Sequence, residues 1–270
     1  MNDKQAKMAQ QDEQIQEFLS GVKTKLLVMS GKGGVGKSTV AVNLAVTLAE
    51  KGYSVGLMDV DFHGPNTLKM LGLEGEKMLT DDQKLVPLKY TDGLQVVSIS
   101  SLLDDSDTAV IWRGPLKIGV IKQFITDVRW EPFDVLVIDS PPGTGDEPLT
   151  VAQTITDAKG VIVTTPQEVS ILDVRKSITF CRQVNMKIAG IIENMSGLIC
   201  PHCGQRIDIY KSGGGEKAAR ELNVPFLGSL PFDPNIVIAG DDGKPIPLQD
   251  PDGLSGKAFK QVVSAIMDGK

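Results

Sequence analysis

Three features of the sequence predict an α/β fold, a single domain built on a mostly parallel sheet with helices on both faces. Apolar runs rich in Val, Ile and Leu alternate with segments whose apolar residues recur every three or four positions. The runs are apolar throughout, the pattern of strands buried on both faces. Aromatics are only 5% of the chain against 28 glycines, which suits an α/β protein better than a β-sandwich. The 270 residues leave room for one large domain or two small ones. No Pro/Gly-rich linker divides them, so one domain over 23–270 is expected.

Taken in order, residues 1–22 are Gln-rich and charged. Met8, Ile15, Phe18 and Leu19 form one weak helical stripe, and a flexible tail is expected, with a partner-binding helix as the alternative. KLLVMS then reads as a buried strand leading into a glycine-rich loop. Val40, Leu44 and Leu48, with Ala41 and Ala45 beside them, mark a helix ending at Gly52. SVGLMDVD is a second strand. The stretch from Phe62 to Ser106 is irregular, with two strands, KLVPLKY and LQVVSIS, around the turn Thr91-Asp92-Gly93. Residues 115–129 read as a helix, and FDVLVIDSPPG as a third buried strand. GVIVTTP, KIAGIIENMS and VPFLGSLPFD are further strands, separated by the helices SILDVRKSITFCRQ and GGGEKAARELN. Phe259, Val262, Val263 and Ile266 share one face of a C-terminal helix.

Composition removes several classes. A net charge of −6, from 28 basic and 34 acidic residues, argues against a nucleic-acid partner. Three cysteines are too few for a disulfide framework and point to a reducing, cytoplasmic setting. No apolar run approaches the ~20 residues needed to span a bilayer, and the N-terminus lacks the apolar core of a signal peptide. No stable membrane association is expected.

Gly31-Lys32-Gly33-Gly34-Val35-Gly36-Lys37-Ser38 matches G-x-x-x-x-G-K-[ST], the phosphate-binding P-loop, and lies between a strand and a helix as the motif requires. Glycines let backbone N–H groups turn onto phosphate oxygens, and the helix N-terminus adds its positive dipole. Gly33, Gly34, Val35, Gly36, Lys37, Ser38 and Thr39 are thus the expected ATP contacts. Lys37 reaches the β- and γ-phosphates and the Ser38 hydroxyl binds Mg²⁺. Asp139 ends an apolar strand, where a carboxylate beside a P-loop holds Mg²⁺. Asp59 and Asp61 end the second strand. Asp59 is expected to support Mg²⁺ from behind the direct ligands.

Cys200-Pro201-His202-Cys203-Gly204 is the second strong motif. C-x-x-C lets two thiolates chelate one metal. Half of a zinc ribbon, a metal-free knuckle and a disulfide are the other readings. The remaining Cys181 falls on the stripe Ile171, Val174, Ile178 and is expected in the core. A four-ligand site is completed most simply by two copies of the chain.

With Lys32 early in the P-loop, the chain resembles the deviant Walker A ATPases that work as nucleotide-sandwich dimers. The resemblance implies that Lys32 acts across the dimer on the partner's nucleotide and that Asp61 orients the attacking water. It also implies that the Asp139 loop is a switch in which the Gly143 backbone senses the γ-phosphate, and that Asn194 and Pro231 contact adenine. KGGVGKST, DVDFHGPN, DSPPGTGDEPLT, ENMSGLICPHCG and LGSLPFDP, in this order, closely resemble the Mrp/ApbC branch of iron–sulfur cluster carrier ATPases, related to MinD/ParA and the nitrogenase iron protein. That branch implies a cytoplasmic homodimeric ATPase carrying a labile [4Fe–4S] cluster on Cys200 and Cys203, with a cluster donor and apo-protein clients as partners. Two alternatives stand beside it. One is a membrane- or DNA-associated partitioning ATPase, suggested by the amphipathic C-terminal helix with Lys257 and Lys260. The other is a zinc-knuckled nucleotide-binding scaffold.

Overall fold

The computed structural model describes residues 3–102 and 114–269. The end of the irregular stretch, 103–106, lies outside them. The chain opens with α1 (Asp3–Gly21), β1 (Thr24–Met29), α2 (Lys37–Glu50), β2 (Val55–Asp59) and the single turn α3 (Thr67–Met70). A small antiparallel pair, β3 (Thr80–Asp81) and β4 (Lys84–Leu85), precedes β5 (Leu88–Thr91), β6 (Leu94–Ser98) and a 3-10 turn at Ile99–Leu102. Then come α4 (Gly114–Thr126), β7 (Val135–Asp139), α5 (Asp146–Thr154), β8 (Lys159–Thr164), α6 (Glu168–Gln183) and β9 (Lys187–Glu193). A hairpin of β10 (Leu198–Ile199) and β11 (Arg206–Ile207) follows. α7 (Gly214–Leu222), β12 (Phe226–Ser229), α8 (Pro234–Asp241), α9 (Ile246–Gln249) and α10 (Leu254–Met267) complete the described chain.

The strands form one eight-stranded sheet in the order β12-β9-β8-β1-β7-β2-β6-β5. All neighbours run parallel except β5, which lies antiparallel to β6 at the edge. The tight turn at Asp92-Gly93 makes that pair a hairpin, because so short a link cannot carry a parallel crossover. Successive side chains enter opposite faces. Leu27 and Met29 of β1 join the core beneath α1, α4, α5, α6 and α7, while Leu26 and Val28 join the core beneath α2, α8, α9 and α10.

Within the first 22 residues, 3–21 correct the expectation of a flexible tail. They form α1, Ile15 and Leu19 are buried in the first core alongside Val22, and the Phe18 ring packs against Trp130 and Phe133. The partner of the weak stripe is the chain's own α4 and Phe133 region. Short α5, α8 and α9 carried no periodic signal. α8 is set locally instead, with Pro234 in its first turn and the Asp233 carboxylate accepting from the Asn235 N–H at 2.9 Å. Phe259, Val262 and Val263 of α10 are buried, so the apolar face on which a membrane-surface reading rests is spent on the core. Among the described residues no helix is long and apolar enough to cross a membrane.

Candidate functional site

Parallel strands bring all their C-terminal ends to one edge, where α/β folds place their ligands. β1, at the centre of the sheet, feeds the glycine loop, and its neighbour β7 ends in Asp139. Next to β7, β2 ends in Asp59, and the register sets Asp59 directly beside Asp139 and Val28 beside Asp139. Strand order thus assembles a site from residues 80 apart in sequence.

The loop geometry explains its glycines. Gly34 and Gly36 have φ of 77° and 78°, a left-handed conformation that side chains disfavour. A Cβ at Gly36 would also strike the Asn194 amide, and one at Gly31 the backbone of Asp173. Gly36 caps α2, whose first residue is Lys37. Gly33 and Gly34 are exposed, Val35 is buried, and Lys32, Ser38 and Thr39 are half-buried. The Gly143 N–H, on a residue with φ of 93°, donates to the Ser30 carbonyl at 2.7 Å, tying the Asp139 loop to the glycine loop.

Lys37 is buried. Its Nζ donates to Asp139 Oδ1 at 2.6 Å and to Ser38 Oγ at 3.1 Å, and lies 3.8 Å from Asp61 Oδ2. Asp59 is fully buried behind them. Its oxygens accept from the Asp61 N–H at 3.0 Å, Thr67 Oγ1 at 2.8 Å and Ser98 Oγ at 3.2 Å. Burial, then the neighbouring Asp139 charge, pushes its carboxyl up to about 7. Burial also raises Asp139, with the Lys37 ammonium opposing it. Asp61 Oδ1 accepts from the His63 and Gly64 N–H groups at 3.2 and 3.3 Å, so one oxygen folds the loop while the other faces Lys37.

Asp139 Oδ2 is buried with no hydrogen-bond partner, an acceptor of the kind a hydrated cation satisfies. Among the described residues no three His, Cys, Asp or Glu side chains are grouped to cage a metal ion. Mg²⁺ needs only one or two protein oxygens when phosphates supply the rest, so Ser38 and Asp139 fit that ion. The Asp59 oxygens are instead engaged by protein donors.

On the other side of the loop, buried Asn194 donates from Nδ2 to the Val35 carbonyl at 2.8 Å. Pro231, half-buried, lies in the segment after β12. Cys200 and Cys203 sit on the β10–β11 hairpin, where the Cys200 N–H donates to the Gln205 carbonyl and the Gly204 N–H to the Cys200 carbonyl, both at 2.9 Å. Backbone N–H groups of Cys203 and His202 hold the Cys200 thiol below its ordinary value, favouring the thiolate that binds metal. Cys181 is buried, its sulfur 3.6 Å from Met29 Sδ, and burial lifts it to about 11, so it is an inert core residue.

Several residues at the site escaped sequence reasoning. Thr67 and Ser98, which hold Asp59, had no signal. Lys117 and Glu147 form a buried pair at 2.6 Å, with His63 Nε2 3.0 Å from the lysine. Glu193 had a usable one, since it ends a buried strand as Asp139 does.

A central parallel strand feeding a lysine-bearing glycine loop, flanked by strand-end aspartates, defines a P-loop nucleotide-binding protein. More particularly, the chain belongs to the ParA family, whose model, described as NUBPL iron-transfer P-loop NTPase, matches residues 21–267. It is 50% identical over 262 residues to an iron-sulfur cluster carrier protein of Methanocaldococcus jannaschii, covering 97% of this chain and 90% of that one. It is 47% identical over 226 residues to the cytosolic Fe-S cluster assembly factor CFD1 of Saccharomyces cerevisiae, covering 81% of this chain and 77% of that one. A nucleotide-binding protein of Archaeoglobus fulgidus, solved in complex with ADP, is similar in structure with a TM-score of 0.79 at 38% identity, covering 92% of this chain and 96% of that one.

Proposed function

We propose that this chain is a cytoplasmic, ATP-dependent iron–sulfur cluster carrier that holds a labile [4Fe–4S] cluster across a homodimer and delivers it to apo-proteins. The observation that carries this reading is the thiol pair itself: Cys200 and Cys203 lie on a surface hairpin of a P-loop protein, one of them biased toward thiolate. A structural metal is normally enclosed, whereas a cargo needs access. A cubane takes four external ligands and one chain offers two, the third cysteine being sealed in the core. A two-fold axis through the cluster supplies the other pair. Exposed Ile199, Ile207 and Ile209, on and beside the hairpin, give such an interface apolar area.

In the ATPase cycle, Gly33 to Thr39 cradle the phosphates, and Lys37 leaves Asp139 for the β- and γ-phosphates. Mg²⁺, where bound, offsets charge on the transferring phosphoryl group. Asp61 orients the attacking water, and Lys32 supplies a second cation to the partner's nucleotide. Asn194 and Pro231 contact the adenine.

Anaerobic reconstitution with iron and sulfide tests the cargo site. Cubane ligation predicts about four irons per two chains, lost in Cys200→Ala and in Cys203→Ala with ATP binding retained, and kept in Cys181→Ala. A full cluster on a verified monomer overturns the bridging arrangement. Zinc at one per dimer in protein purified without air keeps the geometry and overturns the function.

A further inference from the structure

The CPHC hairpin is held by its stalks. Its two short strands form a sheet of their own, separate from the central one, and residues 201–213 are almost all exposed. Both stalks end on one side chain. Glu193, fully buried at the end of β9, accepts from Ser196 Oγ on the outgoing stalk at 2.5 Å. It accepts from the Gly213 and Gly215 N–H groups on the returning stalk at 3.0 and 2.6 Å. The returning stalk has no slack. A Cβ at Gly215 would press on the Glu193 side chain at 3.0 Å, and one at Gly214 would fall on the Pro166 carbonyl.

The same short segment borders both residues assigned to adenine. Asn194, the next residue, donates to the glycine loop at Val35. The Leu230 N–H donates to the Glu193 carbonyl at 2.8 Å, the Ser196 N–H to the Leu230 carbonyl at 2.8 Å and the Phe232 N–H to the Gly197 carbonyl at 2.9 Å. Pro231 is therefore clamped, through both of its neighbours, to the outgoing stalk. The Phe232 ring meets Tyr210 on the returning stalk edge-on, with centroids 6.1 Å apart.

We propose that Glu193 is a positioning residue that couples nucleotide occupancy at Asn194 and Pro231 to the placement of Cys200 and Cys203. A nucleotide that shifts either adenine-side residue pulls on backbone hydrogen-bonded to one stalk, and the Glu193 carboxylate carries the shift to the other, so the hairpin moves as a unit. Only a carboxylate serves. Both of its oxygens accept, whereas a glutamine would turn an NH₂ group toward backbone N–H donors. The coupling rests on the cargo reading of the thiols, so its test is made to fail separately from that reading.

The test uses metal-free, reduced full-length protein and the rate at which Ellman's reagent modifies the exposed thiols, with and without ADP. Nucleotide affinity is measured in parallel with a fluorescent ADP. Coupling of ordinary size changes the wild-type rate roughly fivefold or more. In Glu193→Gln the ratio of rates with and without ADP falls to about one, while nucleotide affinity stays within about threefold. Ser196→Ala, which removes one of three donors and keeps the fold should Glu193→Gln misfold, gives an intermediate ratio. Ser196→Thr, which keeps the hydroxyl, restores the wild-type ratio. A wild-type rate indifferent to bound ADP, or a full effect surviving in Glu193→Gln or Ser196→Ala, overturns the coupling. Iron and sulfide content after reconstitution reports on the cargo reading alone and is read separately.

Discussion

Two buried carboxylates, Asp59 and Asp139, share the neighbourhood of a single ammonium, Lys37. The fold binds a proton on Asp59 more tightly than the unfolded chain does, since its carboxyl is pushed up to about 7. Stability from this group is therefore fully present at acid pH, declines as pH climbs from the ordinary carboxylate range through about 7, and is lost above it. Melting temperature compared at pH 6 and pH 8 should show that decline, and Asp59→Asn should flatten it. An unchanged slope in the variant would count against the buried acid as its source. Substitutions at Lys37 and Asp61 are expected to separate binding from chemistry. Lys37→Ala should weaken nucleotide binding by about 2 kcal/mol, the scale of a charged hydrogen bond. Asp61→Ala should keep binding and lower turnover about a hundredfold, the scale of a positioned base or water. Isothermal titration beside a phosphate-release assay distinguishes them, and equal losses of binding would show Asp61 to be misassigned.

At the scale of elements, α1 is the clearest departure from expectation. A polar helix with few apolar residues reads as unpartnered, because sequence shows the stripe but not the surface awaiting it. Here Ile15 and Leu19 are in the core, and Phe18 completes a ring cluster with Trp130 and Phe133. Leu19→Ala should cost about 2–5 kcal/mol, the usual loss for a buried leucine. Urea unfolding measures it, with nucleotide affinity as the control for an intact site. A neutral substitution would restore the flexible tail. The central strands β1, β2, β7 and β8 were legible because residues buried on both faces leave no polar position to blur the run. The expected strand KLVPLKY, by contrast, is two short pieces, β4 and β5, and the largely exposed two-residue strands β3, β10 and β11 carry no such run. Helices α5, α8 and α9 were not, because four to nine residues are too few for a period to repeat.

For the whole molecule, the decisive question is what a second copy contributes. Lys32 is half-buried at the rim of the glycine loop, while the Lys37 ammonium is turned inward onto Asp139 of its own chain. Lys32→Ala should retain most nucleotide binding and lose turnover together with ATP-dependent tightening of the dimer. Mixing it with Asp61→Ala should restore part of the activity, because mixed dimers then contain one site with both groups intact. Verified mixed dimers without activity would place Lys32 in its own subunit's site.

The P-loop, the C-x-x-C knuckle and the apolar strands were determined by sequence alone, because each depends on neighbours a few positions away. A glycine at a left-handed φ and two thiols three positions apart carry their geometry with them. Tertiary structure alone decided which distant residues meet. The order β1-β7-β2 sets Asp59 against Asp139, α1 finds its cover on α4, and both stalks of the cysteine hairpin converge on Glu193. Such meetings follow from strand order and helix docking, which are settled by burying the whole apolar surface at once. No short stretch of sequence contains that sum.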